Sequence, residues 1–153
     1  MDHSTGTYVS AQLSKQSKAL LDAWVEDILQ IKNPVDPATY HTTIIYSPTP
    51  VPQAELLSKD EVFIASPKEY RIFPTKQGGN CLVLIVESDQ LKFLNTKLTF
   101  WGATSTYSVY HPHITLAYEY TGDIPSKLPE FDISYDGLTI SPLDLDYVPP
   151  NKR

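Results

Sequence analysis

The residues best suited to chemistry occur in a six-residue pattern that the chain carries twice. Residues 41–46 and 113–118 both read His-x-Thr-apolar-apolar-Tyr, and 72 positions (113 minus 41) separate the two histidines. A third His-x-Thr, at residues 3–5, is not followed by apolar residues and is interpreted as a coincidence. Because the six-position match is much more specific than His-x-Thr alone, the two copies predict a paired site.

Strand geometry gives this spacing a chemical meaning. Side chains at positions i and i+2 of a strand point to the same face. His41 and Thr43 therefore point the same way, and so do His113 and Thr115. If both strands face one cleft, a neutral imidazole can accept the proton of an attacking hydroxyl while an imidazolium protonates the leaving oxygen. The threonine hydroxyls can donate hydrogen bonds to the nonbridging oxygens of a phosphodiester, and this scheme requires no metal or other cofactor.

The second copy of the pattern resembles a known group of enzymes. Residues 111–117 read His-Pro-His-Ile-Thr-Leu-Ala, which is similar to the Pro-His-Ile-Thr-Leu form common in the two-histidine (2H) phosphoesterase superfamily. The resemblance implies metal-independent cleavage of phosphodiesters, often with a ribose 2′-hydroxyl as nucleophile or with opening of a 2′,3′-cyclic phosphate. The residues that inherit the catalytic roles are His41, Thr43, His113 and Thr115.

Within that superfamily, the chain looks most like the phage anti-CBASS nucleases, which degrade the cyclic oligonucleotide messengers of bacterial antiviral signalling. The likeness lies in the short chain, the Thr-Gly-Thr-Tyr start at residues 5–8 and the ten tyrosines. It implies a phosphodiesterase that hydrolyses cyclic di- or trinucleotides to linear products, with a cyclic oligonucleotide or short nucleotide as its partner.

Two other functions stay open. One is an RNA 2′,3′-cyclic phosphodiesterase or an RNA 3′-end exonuclease of the same superfamily. The first of these often carries Arg soon after the second pattern, whereas Tyr118 and Glu119 follow here. The other is a non-catalytic module that sequesters cyclic nucleotides. Two complete His–Thr pairs argue against it, since sequestration needs neither histidine.

Aromatic side chains are candidates for stacking on a base. We expect Tyr8, Tyr110 and Tyr147 to bind substrate in this way, with Phe73 as a further candidate and ordinary packing as the alternative for each. We expect Lys76 to reach a second phosphate, with a solvated strand face as the alternative. Strict alternation places Tyr46 and Tyr118 on the strand face opposite the histidines, so they are assigned to packing.

The sequence His111-Pro112-His113 also raises the possibility of a metal pair or a nucleotide-binding histidine triad. The triad requires a histidine at position 115, where Thr115 stands. Because no cysteine or acidic cluster completes a metal site nearby, we expect no metal. His111 is assigned to shaping the loop.

The charge of the chain limits the possible partners. Eighteen acidic residues oppose twelve basic ones, a net charge of −6. Residues 119–146 contain seven acids and one base, Lys127, and therefore hold the whole excess. This balance argues against a long nucleic-acid duplex, whose binding depends on many Lys–phosphate and Arg–phosphate contacts, and against an anionic membrane surface.

Length and cysteine content indicate an ordinary intracellular domain. The 153 residues fit one domain, residues 1–153, with a frayed tail at 149–153. The single cysteine, Cys81, excludes an internal disulfide, and it lies in an apolar run. The polar start and the lack of a long apolar segment predict a cytoplasmic protein, in the host cytoplasm if a phage encodes it. The oligomeric state stays open.

Hydrophobic periodicity predicts the elements that must position the paired site. We expect helices over 15–31 and 89–101, with Ser14 and Ser88 as N-caps. The expected strands are 7–13, 40–46, 61–65, 69–73, 81–87, 113–120, 131–135 and 138–148, with turns near 67–68, 78–80 and 136–137. Each half places a helix before a strand that begins with histidine. This predicts an α+β fold with two pseudo-symmetric lobes, antiparallel sheets lining a central cleft and helices outside.

Overall fold

The fold is built on one six-stranded sheet in which every strand pairing is antiparallel. The computed structural model describes residues 5–74, 79–104 and 109–144. Its strands are β1 (Thr5–Leu13), β2 (His41–Ser47), β3 (Phe63–Pro74), β4 (Asn80–Glu87), β5 (His113–Ala117) and β6 (Ile133–Asp144). Its two α-helices are α1 (Lys15–Ala23) and α2 (Asp89–Phe100). The strand order is β2-β1-β6-β3-β4-β5, which confirms the α+β prediction.

Two groups of three strands form the halves of this sheet. One is β2-β1-β6 and the other is β3-β4-β5. The halves are joined where the first residues of β3 pair with the first residues of β6, as in Ala65 with Ile133. β2 and β5 are the outermost strands, yet they contact each other, so the sheet curves until its two edges meet. Each half thus presents one histidine-bearing edge strand, and the two-lobed prediction is confirmed.

Both helices pack on the sheet face opposite the histidines. Leu21 of α1 and Leu91 and Leu98 of α2 are fully buried in one apolar cluster with strand residues such as Val9 and Leu84. On β1, Val9, Ala11 and Leu13 are buried in the core, whereas Tyr8 and Gln12 are only half-buried. The core therefore fixes which side chains of each strand turn outward.

Serine side chains cap both helices as expected. The Oγ of Ser14 accepts a hydrogen bond from the Ser17 amide at 3.2 Å, and the Oγ of Ser88 accepts one from the Leu91 amide at 3.3 Å. α1 continues as a π-helix over Trp24–Leu29, and Gln30 ends it with a left-handed φ of 52°. The predicted 15–31 span is thus continuous, although its last turns are wider than an α-helix.

Two predicted hairpins are wrong, because each is a single strand with a bulge. In β3, Pro67 pairs with Val86 and Glu69 with Ile85, which leaves Lys68 as the extra residue. In β6, the extra residue is Asp136, between Tyr135 and Gly137. Turn-type residues occupy both places because a bulge also interrupts regular pairing and bends the strand.

The remaining boundaries differ at the ends of elements. β5 ends at Ala117 rather than residue 120, and Glu119 has a φ of 52°, which extended strand does not allow. β6 begins at Ile133 and not at residue 131. Residues 145–148 of the last predicted strand and the tail at 149–153 lie outside the described residues. In the part of the chain that is described, no helix has the length and apolarity that a bilayer span requires.

Candidate active site

The first His–Thr pair lies at the start of β2, on the face away from the core. His41 pairs with Gln12 of β1, and Thr43 pairs with Ser10. Both side chains are half-buried, whereas Thr42 between them is fully buried. The Thr42 hydroxyl lies 2.7 Å from the buried Tyr135 hydroxyl. This buried pair anchors β2 and turns His41 and Thr43 outward.

The second pair lies at the start of β5 in the same arrangement. His113 pairs with Ile85 of β4, and Thr115 pairs with Val83. Ile114, between the two functional residues, is fully buried. The predicted alternation of histidine and threonine is therefore present on both edge strands.

A bulge follows the threonine in each strand, at the third residue after the histidine. Ile44 is the extra residue of β2, and Leu116 is the extra residue of β5. Two consecutive buried residues result in each case, Ile44 with Ile45 and Leu116 with Ala117. The bulges are a second internal repeat, since they interrupt both strands at the same distance from the histidine.

The bulges overturn the packing assignment of the two tyrosines. Because one extra residue reverses the alternation, Tyr46 lies on the same face as His41 and Thr43. Its ring meets the Tyr8 ring edge-on, with 6.0 Å between centroids. Tyr118 lies beyond the end of β5 and is 42% exposed, so it is not a core residue either.

The two imidazoles are oriented by the same local hydrogen bond. The Nδ1 of His41 lies 2.8 Å from the carbonyl oxygen of Thr39, and the Nδ1 of His113 lies 2.9 Å from that of His111. A carbonyl oxygen only accepts, so Nδ1 carries the hydrogen in both rings. Each Nε2 is then the nitrogen left for a reacting group, as an acceptor in the neutral ring and as a donor in the charged ring.

The surroundings of His113 favour its neutral form. Burial is the main cause that lowers its pKa from the ordinary value of 6.5, and the charges of His41 and His111 lower it further. The bond to the His111 carbonyl acts in the opposite direction. The ring also meets Phe73 edge-on, with 5.3 Å between centroids. β2 and β5 contact each other, and each begins with one of the two histidines.

Two side chains from outside β2 bind the backbone of this strand beside the first His–Thr pair. The Tyr110 hydroxyl donates to the backbone oxygen of Thr43 at 2.7 Å, and the Asn95 amide nitrogen donates to that of Ile44 at 2.8 Å. Tyr110 is half-buried against the core, and burial strongly raises its pKa. This contact fits a residue that positions Thr43, while base stacking by Tyr110 stays a prediction.

The Thr43 hydroxyl has a hydrogen-bond partner in the Tyr8 hydroxyl. It lies 3.0 Å from the Tyr8 hydroxyl, and either group can donate. If Tyr8 donates, Thr43 retains its own hydrogen for an anionic oxygen. Tyr8 thus lies beside the site, as expected, and its predicted stacking on a base stays a prediction.

The face that carries His113 continues over β4 and β3. Cys81, Val83 and Ile85 form a small buried apolar cluster there, with Phe73 packed against it. Arg71 pairs with Val83 and therefore lies on this face too, next to Glu69. Alternation at 69, 71 and 73 is visible in the sequence, but only the register with β4 and β5 shows that these residues share the face of His113.

Two predicted substrate-binding residues, Lys76 and Tyr147, lie outside the described residues, and their roles stay predictions. Among the residues described, no three His, Cys, Asp or Glu side chains are grouped so that they could hold a metal ion.

Comparison with known proteins identifies the family of the chain. The family described as "Anti-CBASS protein Acb1" matches residues 5–149. The chain belongs to this family. The Acb1 protein of Vibrio phage KVP40 is 30% identical over 148 residues, which cover 97% of this chain and 94% of that protein. The Acb1 protein of Enterobacteria phage T4 is 32% identical over 151 residues, with coverage of 95% and 93%.

Solved structures show the same fold. The protein TT0787 of Thermus thermophilus superposes with a TM-score of 0.61 and 18% identity, over 88% of this chain and 86% of that one. E. coli LigT complexed with 3′-AMP superposes with a TM-score of 0.59 and 17% identity, over 89% and 86%. The chain is thus an Acb1-family protein with the 2H phosphoesterase fold. Together these findings confirm the prediction of an anti-CBASS protein with the 2H phosphoesterase fold.

Proposed function

We propose that this chain opens cyclic di- or trinucleotides by metal-independent cleavage of one phosphodiester, and that it does so in the host cytoplasm. The observation that supports this most strongly is the pair of histidines on facing edge strands. Both are fixed through Nδ1, so both offer Nε2. An in-line displacement at phosphorus needs one proton acceptor and one proton donor on opposite sides of the reacting atom, and this pair supplies them.

The proposed reaction passes between His41 and His113. A hydroxyl, such as a ribose 2′-hydroxyl, attacks phosphorus and gives its proton to the neutral imidazole. The bond from phosphorus to the leaving oxygen breaks, and that oxygen takes the proton of the charged imidazole. Thr43 and Thr115 donate hydrogen bonds to the nonbridging oxygens, where negative charge is concentrated.

We propose that His113 acts as the base and His41 as the acid, because the lowered pKa of His113 favours its neutral form. Replacing the leaving oxygen of the substrate with sulfur tests this assignment, because a thiolate leaves without protonation. Cleavage of the sulfur substrate should persist in His41→Ala and should remain abolished in His113→Ala. The reverse pattern would exchange the two roles.

A small, nucleotide-sized substrate fits this fold. Structures of E. coli LigT, which share the fold, hold 3′-AMP, NADP+ and ATP. The candidate site offers two imidazoles, two hydroxyls and aromatic rings rather than a broad basic surface. Such a site suits a ligand with few phosphates.

The substrate class is tested with a panel resolved by chromatography. Cyclic dinucleotides, cyclic trinucleotides and RNA ending in a 2′,3′-cyclic phosphate are each incubated with the protein, with and without EDTA. We expect linear products from a cyclic di- or trinucleotide, at a rate that EDTA does not change. Turnover of the RNA end alone would replace the proposal with an RNA phosphodiesterase. Binding of cyclic nucleotides without turnover would indicate a sequestering module, and loss of activity in EDTA that a divalent ion restores would refute the metal-free mechanism.

A further inference from the structure

Arg71 lies on the same sheet face as the second His–Thr pair. It pairs with Val83 of β4, and Val83 pairs with Thr115 of β5, so the three residues form one row across the sheet. Directly paired residues of antiparallel strands point to the same face. The contact between Phe73, two residues after Arg71, and the His113 ring shows that this face is the one the histidine occupies.

Glu69 holds the guanidinium of Arg71 but uses only two of its N–H groups. Its Nε and Nη2 both donate to Oε1 of Glu69, at 3.0 and 2.6 Å. A guanidinium has five N–H groups, so three of them point elsewhere, on Nη1 and Nη2. The side chain is 39% exposed, which leaves this outer edge open to a ligand. Two N–H groups on such an edge match the two oxygens of a phosphate.

The row of Arg71, Val83 and Thr115 also gives the distance between Arg71 and the second His–Thr pair. Arg71 and Thr115 are separated by two strand spacings, roughly 10 Å between Cα atoms. The proposed reaction takes place between the edge strands β2 and β5, on the far side of Thr115 from Arg71. Between the two positions lies the buried cluster of Val83, Cys81 and Ile85, with the partly exposed Phe73 packed against it. Two anion-binding positions on one sheet face correspond to two phosphates of one ligand.

We propose that Arg71 binds the non-reacting phosphate of a cyclic oligonucleotide and that Glu69 orients the guanidinium for it. This inference rests on the proposed function. It names Arg71 as the residue that favours cyclic oligonucleotides over substrates with a single phosphate. Arg71 is then a binding residue, and Glu69 is a positioning residue. The role predicted for Lys76 is one that Arg71 can fill from the described face.

The test combines a variant with a modified substrate. Arg71→Gln should raise KM for a cyclic dinucleotide by about tenfold or more, since a charged hydrogen-bonded pair is lost, while kcat changes by less than about threefold. Arg71→Lys should recover part of the affinity, and Glu69→Gln should raise KM by a smaller factor. Lys68→Gln, at the neighbouring bulge on β3, is the matched control and should leave KM within about twofold.

The second change is made in the substrate: the non-reacting phosphate of the ring is replaced by a neutral methylphosphonate. The protein variant and the modified ring together form a double-mutant cycle. The wild-type protein should bind this ring with a KM raised about as much as Arg71→Gln raises it for the natural ring. The variant should show no further increase, because the two changes remove one contact. Additive effects, or an unchanged KM in Arg71→Gln, would overturn the assignment of Arg71 while leaving ring opening intact. Failure of the proposed function would appear separately, as a wild-type protein that opens no ring.

Discussion

At the scale of single residues, the candidate site contains two histidines held in the same way. Each Nδ1 donates to the carbonyl of the residue two positions earlier, Thr39 or His111. The sequence predicts both histidines but not this bond, because the bond depends on how the chain enters each strand. Its consequence is that both rings leave the same nitrogen, Nε2, for a reacting group, so the chemical difference between them comes from their surroundings.

The pH dependence follows from the surroundings of His113. A base must be neutral, so kcat/KM should fall as the pH decreases through the pKa of His113. Because burial and the neighbouring histidines lower that pKa, we expect the acid limb of the profile to have its midpoint below the ordinary value of 6.5. His111→Gln keeps the carbonyl and removes a nearby charge, so it should move the limb to higher pH. An acid limb above 6.5 in the wild-type protein would contradict the assignment of His113 as base.

The hydroxyl of Tyr8 can be tested separately from its ring. Tyr8→Phe removes the 3.0 Å contact with Thr43 and keeps the aromatic surface. Loss of one hydrogen bond of about 1 kcal/mol corresponds to a fall in kcat/KM of about fivefold. Tyr40→Phe is the control, because the buried Tyr40 hydroxyl has no hydrogen-bond partner among the described residues. It should leave kcat/KM unchanged, and an equal loss in both variants would exclude a specific role for the Tyr8 hydroxyl.

At the scale of elements, bulges shape the site. The extra residues Ile44 and Leu116 reverse the alternation after each His–Thr pair, and this brings Tyr46 to the site face. The bulges at Lys68 and Asp136 let β3 and β6 run as long strands, whose first residues join the two halves. Strand bulges thus determine both the aromatic lining and the connection between the lobes.

The bulge in β6 requires a small residue at Gly137. A Cβ at this position would lie 2.9 Å from the backbone oxygen of Lys59, which also accepts the Leu138 amide at 3.0 Å. Gly137→Ala should therefore lower the free energy of unfolding by about 1–3 kcal/mol, measured by chemical denaturation. Asp136→Ala, at the exposed neighbouring position, should change it by less than about 0.5 kcal/mol. Equal stability of both variants would be inconsistent with the close approach of Lys59.

The sequence predicts the helices, most strand positions and both His–Thr pairs, because these depend on local periodicity and capping. It does not predict the long strands, since Pro67-Lys68 and Asp136-Gly137 have turn-type residues and only pairing with other strands shows that they form bulges. The position of Arg71 beside the site depends on register across three strands. Contacts between distant segments determine these features, and the local pattern of a single sequence does not predict such contacts.

At the scale of the whole molecule, the distribution of charge fits a small substrate. The acidic residues of the 119–146 segment that precede β6, such as Glu119, Asp123 and Glu130, are exposed. The two His–Thr pairs and Arg71 lie on strands outside that acidic stretch, which starts after β5. The net charge of −6 is therefore compatible with a phosphate-binding site, because repulsion grows with the length of an anionic ligand.

This distribution predicts discrimination against long RNA. At low ionic strength, where screening is weak, the protein should bind a cyclic dinucleotide more tightly than a long single-stranded RNA of matched base composition. Replacing Glu119, Asp123 and Glu130 with Gln should increase RNA binding and leave KM for the ring within about twofold. Tighter binding of the long RNA by the wild-type protein would show that the acidic segment does not act as a barrier.

Both histidines are proposed to carry the cleavage of a cyclic oligonucleotide. The most direct measurement is the single-turnover rate of ring opening for the wild-type protein, His41→Ala and His113→Ala, with ring affinity measured in parallel. Each variant should lose a factor of about 10² to 10⁴ in rate, as expected when a general acid or base is removed, while binding the ring within about tenfold of wild type. A near-normal rate in either variant would contradict the two-histidine mechanism.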